Sequence, residues 1–301
     1  MSRILLIGAN GQLGSDLRDA LAGHELLAAS RTPLNDSRFR TLQLDVMDTD
    51  ALRAVVGEFK PDAVVNCSAF HRVDDIERDA LQALNVNALA AQRLALLCRA
   101  ENCVLLHIST DYVFDGTRRA PYTESDLPNP LSAYGTTKLA GELLIRAAWP
   151  RHFIVRTCGL YGRAGTSGKG GNFVQTMLRL AREQAAAAQP KPICVVADQT
   201  CTPTFTFDLA AQLALLLEKE TYGTYHATNA GACTWHEFAN AIFEIAGLSA
   251  RAVPITSAEF GAPAVRPPWS VLENAALQKL GIDRMRPWRE ALVDYLGNYA
   301  G

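Results

Sequence analysis

Ile4-Leu5-Leu6-Ile7-Gly8-Ala9-Asn10-Gly11-Gln12-Leu13-Gly14 runs an apolar segment straight into glycines spaced three residues apart. An amphipathic stretch, Ser15–Ala22, follows at once. Glycines at this spacing let the chain turn tightly and bring backbone N–H groups against a pyrophosphate, with the positive end of the following helix facing the same charge. A glycine triplet alone is weak evidence. A buried strand before it and a helix after it make it a dinucleotide-binding turn.

Outward from this turn, short apolar runs alternate with longer amphipathic ones. Ile4–Ile7, Leu26–Ala29, Thr41–Leu44, Ala63–Asn66, Val104–Ile108 and Phe153–Val155 read as buried strands. Ser15–Ala22, Thr49–Glu58, Ala80–Ala100 and Ala133–Ala147 read as the helices between them. That rhythm predicts an α/β fold, a Rossmann-type doubly wound parallel sheet with helices on both faces. The dinucleotide-binding domain is expected over residues 1–157, with later segments, about 193–220, returning to it. Residues 158–301 are expected to form mainly a smaller C-terminal mixed α/β substrate region. Within it, Gly159–Gly171 is a glycine-rich loop, and helix patterns appear at Asn172–Gln184, Phe207–Leu217, Thr234–Ala246 and Trp288–Leu296. Short strand-like runs fall at Ile193–Ala197 and Thr224–Ala227. Thr234-Trp235-His236-Glu237 has the form of a capping box, and Pro190 with Pro192 ends the preceding helix in an exposed turn.

With 301 residues, 49% of them hydrophobic, the chain can bury a large core. A net charge of −2 leaves no basic excess to hold a nucleic acid or an anionic membrane. The cysteines at 67, 98, 103, 158, 194, 201 and 233 are odd in number and lack any Cys-x-x-Cys pair, which fits free thiols in a reducing cytoplasm. No metal is expected. Asp74, Asp75 and Glu77 read as a solvated acidic helix start. The Ile4–Ile7 run is too short for a signal peptide, and charged residues interrupt every longer apolar stretch before it could span a bilayer.

The strand ends point to the chemistry, since ligands of an open parallel sheet sit outside the carboxyl ends of its strands. Arg31, beside Ser30 at the end of the second strand, stands where an acid would bind the adenosine ribose and a cation takes a 2′-phosphate, so NADPH is the expected cofactor, with NADH also admitted. Asp45 and Val46 are placed to border the adenine, and Cys67, Ser68, Ala69 and Phe70 to line the dinucleotide. Ser109, Thr110 and Asp111 end the fifth strand beside the reacting centre. Tyr134 and Lys138, four residues apart, share one helix face. A free phenol titrates near 10, and an adjacent ammonium is expected to lower that value, so that Tyr134 donates a proton to a carbonyl oxygen as hydride reaches its carbon. Each feature has a bland alternative: a tyrosine packed on a lysine stem, a surface arginine, a hydroxyl capping a turn. In this order along one chain they point together to a reductase.

With these residues in view, the sequence resembles the extended short-chain dehydrogenase/reductases and, within them, the dTDP-4-dehydrorhamnose reductase family. Gly8–Gly14, Val64-Val65-Asn66, Ser109–Gly116, Tyr134–Glu142 and Arg156-Thr157 carry the likeness. So do Gly171–Leu178, Val196-Ala197-Asp198-Gln199, Asp208-Leu209-Ala210 and Arg266-Pro267. The resemblance implies reduction of the C4 ketone of dTDP-4-dehydro-L-rhamnose to dTDP-L-rhamnose by NAD(P)H, in the cytoplasm. It implies Tyr134 as proton donor, Lys138 on the nicotinamide ribose and Thr110 assisting at the sugar oxygen. It further implies Gly8, Gly11, Gln12, Leu13, Gly14, Arg31, Asp45, Val46, Ser68, Ala69, Phe70 and His71 as cofactor contacts, and Thr110, Asp111 and Asn172 as substrate contacts.

The chain departs from that family at three places. Gly159 stands where the family usually carries tryptophan, so a sugar-stacking surface is missing there. His71 and Arg72 are bulkier than the usual residues. The segments 165–171 and 185–192 are longer. The substrate is therefore expected to be a nucleotide sugar whose identity the sequence leaves open, and a homodimer is compatible with it. Two other readings stand beside the reductase: an epimerase or dehydratase of the same superfamily, and a non-catalytic NADP-binding regulatory subunit resembling the methionine adenosyltransferase β subunit.

Overall fold

The computed structural model describes residues 1–164 and 171–299. Of the glycine-rich loop expected at Gly159–Gly171, residues 165–170 lie outside the described residues. In chain order the first half forms β1 (Arg3–Ile7), α1 (Gln12–Ala20), β2 (Glu25–Ser30), β3 (Arg40–Gln43), α2 (Thr49–Phe59) and β4 (Ala63–Asn66). Short helices α3 (Val73–Ile76) and α4 (Leu81–Leu84) lead through a π-helical turn (Asn85–Leu89) into α5 (Ala90–Ala100), β5 (Val104–Thr110), α6 (Ala133–Ala148) and β6 (His152–Thr157). There follow β7 (Leu160–Tyr161), α7 (Phe173–Ala186), β8 (Ile193–Val196), β9 (Thr200–Cys201), β10 (Thr204–Phe205), α8 (Thr206–Leu217) and β11 (Gly223–His226). The chain closes with β12 (Cys233–Thr234), α9 (Trp235–Ile245), β13 (Ala252–Ile255), α10 (Ser257–Phe260), α11 (Ala275–Lys279) and α12 (Trp288–Tyr299).

A seven-stranded sheet of order β3-β2-β1-β4-β5-β6-β11, every pairing parallel, forms the centre. Alternate residues of each strand face opposite layers, so the apolar runs bury both faces. Leu6, Ala28, Val65, Leu106 and Val155 pack under α1 and α8, through Leu13, Leu17, Leu209 and Leu213. Leu5, Ile7, Val64, Leu105 and Ile154 pack on the other side under α2, α5 and α6, through Leu52, Val56, Leu94 and Ile145. Strand order reverses between β1 and β4, and the cleft that ligands of such folds occupy opens at that point. A third apolar cluster joins α7, α9 and α12 around Tyr161, Phe205, Phe238 and Tyr295.

Two features differ from the sequence reading. The run expected as one helix over Ala80–Ala100 is interrupted by the π-turn at Asn85–Leu89. There the Asn87 amide reaches the loop after β4, accepting from Phe70 N and donating to Phe70 O and to Thr137 Oγ1. The extra residue in the turn aims this side chain, which no periodicity of apolar residues encodes. Within the segment 193–220 expected to return to the first domain, α8 packs on the central sheet and β11 then joins it beside β6, whereas Ile193–Val196 pairs with Ala252–Ile255 in a separate two-stranded sheet. The capping box at Thr234 forms as read, with Glu237 closing it.

Helix α6 is fixed to the sheet by a buried ion pair. Arg156 on β6 donates to both Glu142 carboxylate oxygens, from Nε at 2.9 Å and Nη2 at 2.7 Å, while Ser109 Oγ and Arg146 donate to the same group. Burial alone would raise the Glu142 carboxyl, but the Arg156 guanidinium holds it below its usual range. Removing one partner of such a pair strands the other charge. Arg156→Met is expected to lower stability by about 3–5 kcal/mol, read as a drop in the urea midpoint at unchanged slope. An unaltered midpoint contradicts this account.

Candidate active site

The carboxyl ends of β1, β2, β4, β5 and β6 open into one cavity of about 1150 Å³. Every residue singled out in the sequence as a candidate for catalysis, cofactor or substrate lines it. The glycine turn is built from the backbone. Gly8, at φ +83°, and Ala9 both donate their N–H to Ala29 O, and Gly11 N donates to Gly8 O at 3.0 Å. A Cβ on Gly14 would stand 2.1 Å from Gly8 O, and one on Gly8 would stand 3.0 Å from the backbone of Cys67 and Ser68, so both positions exclude a side chain. No side chain caps the start of α1 at Gly11, which leaves its first N–H groups directed at the cavity. Uncapped donors, a bare glycine cradle and the helix dipole are the donor set a pyrophosphate requires, so the turn fits a dinucleotide.

Past the end of β2, Arg31 is exposed on the rim of the cavity. Its main chain is pinned from both sides: Gln43 Nε2 donates to Arg31 O, and the neighbouring Ser30 hydroxyl donates to Thr32 O. Asp45 accepts from Met47 N and so closes its own turn, while Val46 is buried behind it. Past β4, Asn66 Oδ1 accepts from Ser68 N and Ser68 Oγ, which folds Cys67-Ser68-Ala69 against the cavity. Burial pushes the Cys67 thiol up to about 12, so this cysteine is inert at neutral pH.

The chemistry sits where α6 meets the end of β5. Ser132 Oγ caps α6 by accepting from Gly135 N, and a Cβ on Gly135 would stand 2.2 Å from Tyr112 O, so the helix starts hard against the turn after β5. The Tyr134 ring meets the Tyr112 ring edge-on at 5.8 Å. Burial raises the Tyr134 phenol above its usual value, a hydrogen bond with Thr110 opposes that rise, and Asp111 and Cys158 add to it. The spacing argument expected an ammonium-lowered phenol. Burial is the largest influence on the phenol here, and Lys138 Nζ lies against β5, 2.6 Å from Ile108 O and 3.1 Å from His107 Nε2. Thr110 Oγ1 donates to Asp111 Oδ1, and the Cys158 thiol donates to Asp111 Oδ2 at 2.9 Å. Burial raises the Asp111 carboxyl, against the hydrogen bonds from Cys158, Ser270 and Thr110.

Several cavity groups escaped the sequence reading. Gly159, at φ +55°, leaves room in which the Trp235 ring stands 3.5 Å from the position of a Cβ, and Trp235 lies 4.8 Å from the Phe173 ring. An aromatic wall therefore borders the cavity beside Gly159, supplied by the first residue of α9. Trp235 had been noticed only inside a capping pattern, since its approach depends on how α9 packs on α7. Asn172 lines the cavity at the start of α7, but its side chain accepts from Gln175 N and donates to Gly162 O and Gln12 Oε1. The acids at 74–77 have protein partners: Asp74 pairs with Arg266, Asp75 with Arg72, and Glu77 accepts from Ala133 N.

The family model described as the RmlD substrate binding domain matches residues 1–300. The spore coat polysaccharide biosynthesis protein SpsK of Bacillus subtilis is 39% identical, over 98% of this chain and 97% of that protein. A dTDP-4-dehydrorhamnose reductase of Streptomyces griseus is 39% identical, over 97% of this chain and 92% of that enzyme. Among solved structures, the dTDP-4-dehydrorhamnose reductase of Bacillus anthracis in complex with NADP superposes with a TM-score of 0.87, at 34% identity over 98% of both chains.

A guanidinium at the adenosine rim discriminates a 2′-phosphate by charge. Arg31→Asp is expected to shift the NADPH over NADH preference in Kd by at least about tenfold towards NADH, equivalent to about 1.4 kcal/mol, measured by nicotinamide fluorescence titration. An unchanged ratio removes Arg31 from the cofactor site.

Proposed function

The chain belongs to the RmlD substrate binding domain family, the dTDP-4-dehydrorhamnose reductases, and from that premise we propose that it reduces the 4-keto group of a nucleotide-linked deoxysugar with NAD(P)H, converting dTDP-4-dehydro-L-rhamnose to dTDP-L-rhamnose. The observation that carries the reading is the Tyr134 phenol hydrogen-bonded to Thr110 at the end of β5, in the same cavity as the glycine turn.

Bound NADPH supplies the hydride; the chain supplies the proton and the geometry. Tyr134, kept neutral by burial, gives its proton to the ketone oxygen as the carbonyl carbon is reduced, and the single Thr110 hydroxyl hydrogen, which points to Asp111 in the free chain, would turn to that oxygen or to the phenolate left behind. Asp111 orients the Thr110 hydroxyl and is itself held by Cys158. Lys138 would hold the nicotinamide ribose, Gly8, Gly11, Gln12, Leu13 and Gly14 the pyrophosphate, Arg31 a 2′-phosphate, Asp45 and Val46 the adenine, and Ser68, Ala69, Phe70 and His71, which line the same cavity, the remaining length. The sugar lies against Thr110 and Asp111, with Asn172 at its border.

No helix among the described residues is long and apolar enough to cross a membrane. Seven unpaired cysteines and a demand for reduced cofactor support a cytoplasmic setting. A homodimer belongs to the same proposal, supported by exposed Leu89 and Leu96 around α5 and Leu143 on the adjoining α6; sedimentation equilibrium reads it directly, and a monomer at all concentrations removes it.

Tyr134→Phe removes the proton and keeps the ring. Turnover is expected to fall by roughly 10²–10⁴-fold while NADPH affinity stays within about twofold. Near-normal turnover would exclude Tyr134 as the donor.

A further inference from the structure

Beneath the catalytic corner lies a buried chain of polar groups, Asn66 at the end of β4, His107 within β5 and Lys138 on α6, each at most 1% exposed. Their hydrogen-bond roles follow from one fixed point. Asn66 Oδ1 accepts from a backbone N–H, that of Ser68 at 3.0 Å, and from Ser68 Oγ at 2.6 Å, which fixes the orientation of the amide. Asn66 Nδ2 then faces His107 Nδ1 at 3.0 Å and can only donate to it. A neutral imidazole that accepts at Nδ1 carries its hydrogen on Nε2, and Nε2 lies 3.1 Å from Lys138 Nζ. An ammonium has no lone pair for that N–H; an amine has one. Every group is satisfied when Lys138 is an amine that accepts from His107, donates to Ile108 O at 2.6 Å and keeps a second N–H for the cavity.

We propose that Asn66 and His107 are positioning residues that favour the amine over the ammonium form of Lys138 in the free protein, so that at alkaline pH binding the dinucleotide takes up one proton at Lys138 Nζ. The inference rests on the assignment of Lys138 to the nicotinamide ribose. Hydroxyl oxygens there offer the acceptors that an ammonium needs in place of His107, and the phosphates favour a positive charge in the cavity. The other groups facing Lys138 leave the balance close. On its own helix, the Glu142 carboxylate favours the ammonium but is already shared by Arg156 and Arg146, and the Tyr134 phenol is neutral. Across from it, after β4, the Cys67 thiol is neutral as well. His107 on β5 cannot charge, since burial and then Lys138 drive its pKa well below the usual value. Burial brings Lys138 itself down to about 8, which puts the switch within reach of ordinary titration.

The sign follows from linkage. A group neutral in the free protein and protonated in the complex gives full affinity below its free pKa, and affinity falls as pH rises through it. NADPH Kd, measured by fluorescence from about pH 6 to about 9.5, is expected to be flat at first and to rise about tenfold per unit above about pH 8, with close to one proton taken up there by calorimetry in buffers of different ionisation enthalpy. Asn66→Asp keeps both Ser68 bonds but presents an acceptor to His107, which moves the ring hydrogen to Nδ1 and turns Nε2 into an acceptor for an ammonium. The break in Kd is then expected about one unit higher or more, so that at about pH 9 the variant binds about tenfold tighter than the parent. His107→Gln, whose carbonyl oxygen can accept from an ammonium, is expected to move the break in the same direction, and decides the matter if Asn66→Asp does not fold. A flat Kd in the parent, or a parental break in the folded variants, overturns the proposal. Failure to bind NADPH at any pH instead overturns the functional reading on which it rests.

Discussion

The seating of α6 on the ends of β5 and β6 governs everything the cavity can do. Three contacts set it: Gly135 against Tyr112 O, Gly141 against Asn87 O, and the Glu142 carboxylate between Arg156 and Ser109. At the two glycines a Cβ would stand 2.2 Å from a backbone oxygen, so the helix approaches more closely than any side chain permits. At Glu142 a buried charge demands its partners and therefore fixes rotation as well as distance. With axis and rotation fixed, Tyr134 meets Thr110 and Lys138 meets His107 because both lie on the same helix face as Glu142, about two turns and one turn before it.

Desolvation then acts on the two residues in opposite chemical directions. A buried phenol resists ionisation and a buried amine resists protonation, so the same wall of apolar and backbone groups raises Tyr134 and lowers Lys138. For a ketone reduction the first shift is useful, since the phenol must arrive with its proton. The second places Lys138 within reach of titration near neutral pH, where what occupies the cavity can shift its charge.

Much of this was readable in the chain because it is local. Six of the seven central strands, the glycine turn, the strand-end hydroxyls and the Tyr134/Lys138 face are set by short-range periodicity, and the residues picked for the site line one cavity. What was not readable depends on distant packing. The π-turn that aims Asn87 shows no change in apolar spacing. β11 reaches the sheet only because α8 packs along α1 and brings the chain back. Trp235 fills the space beside Gly159 from a helix some 76 residues away, so the tryptophan absent from one loop is answered by an aromatic ring from another. His107 was passed over as one apolar-strand residue among others, since its partners come from β4 and α6.

The central claim is net reduction of a ketosugar, and its most direct measurement is the stoichiometry of NADPH oxidation against a panel of nucleotide-4-ketosugars, followed by absorbance with product quantified in parallel. One NADPH consumed for each 4-hydroxysugar formed, fastest with dTDP-4-dehydro-L-rhamnose, is the predicted result. Sugar converted without net loss of NADPH would reveal an epimerase or dehydratase, and no conversion together with a stable protein partner would reveal a regulatory subunit; either contradicts the account.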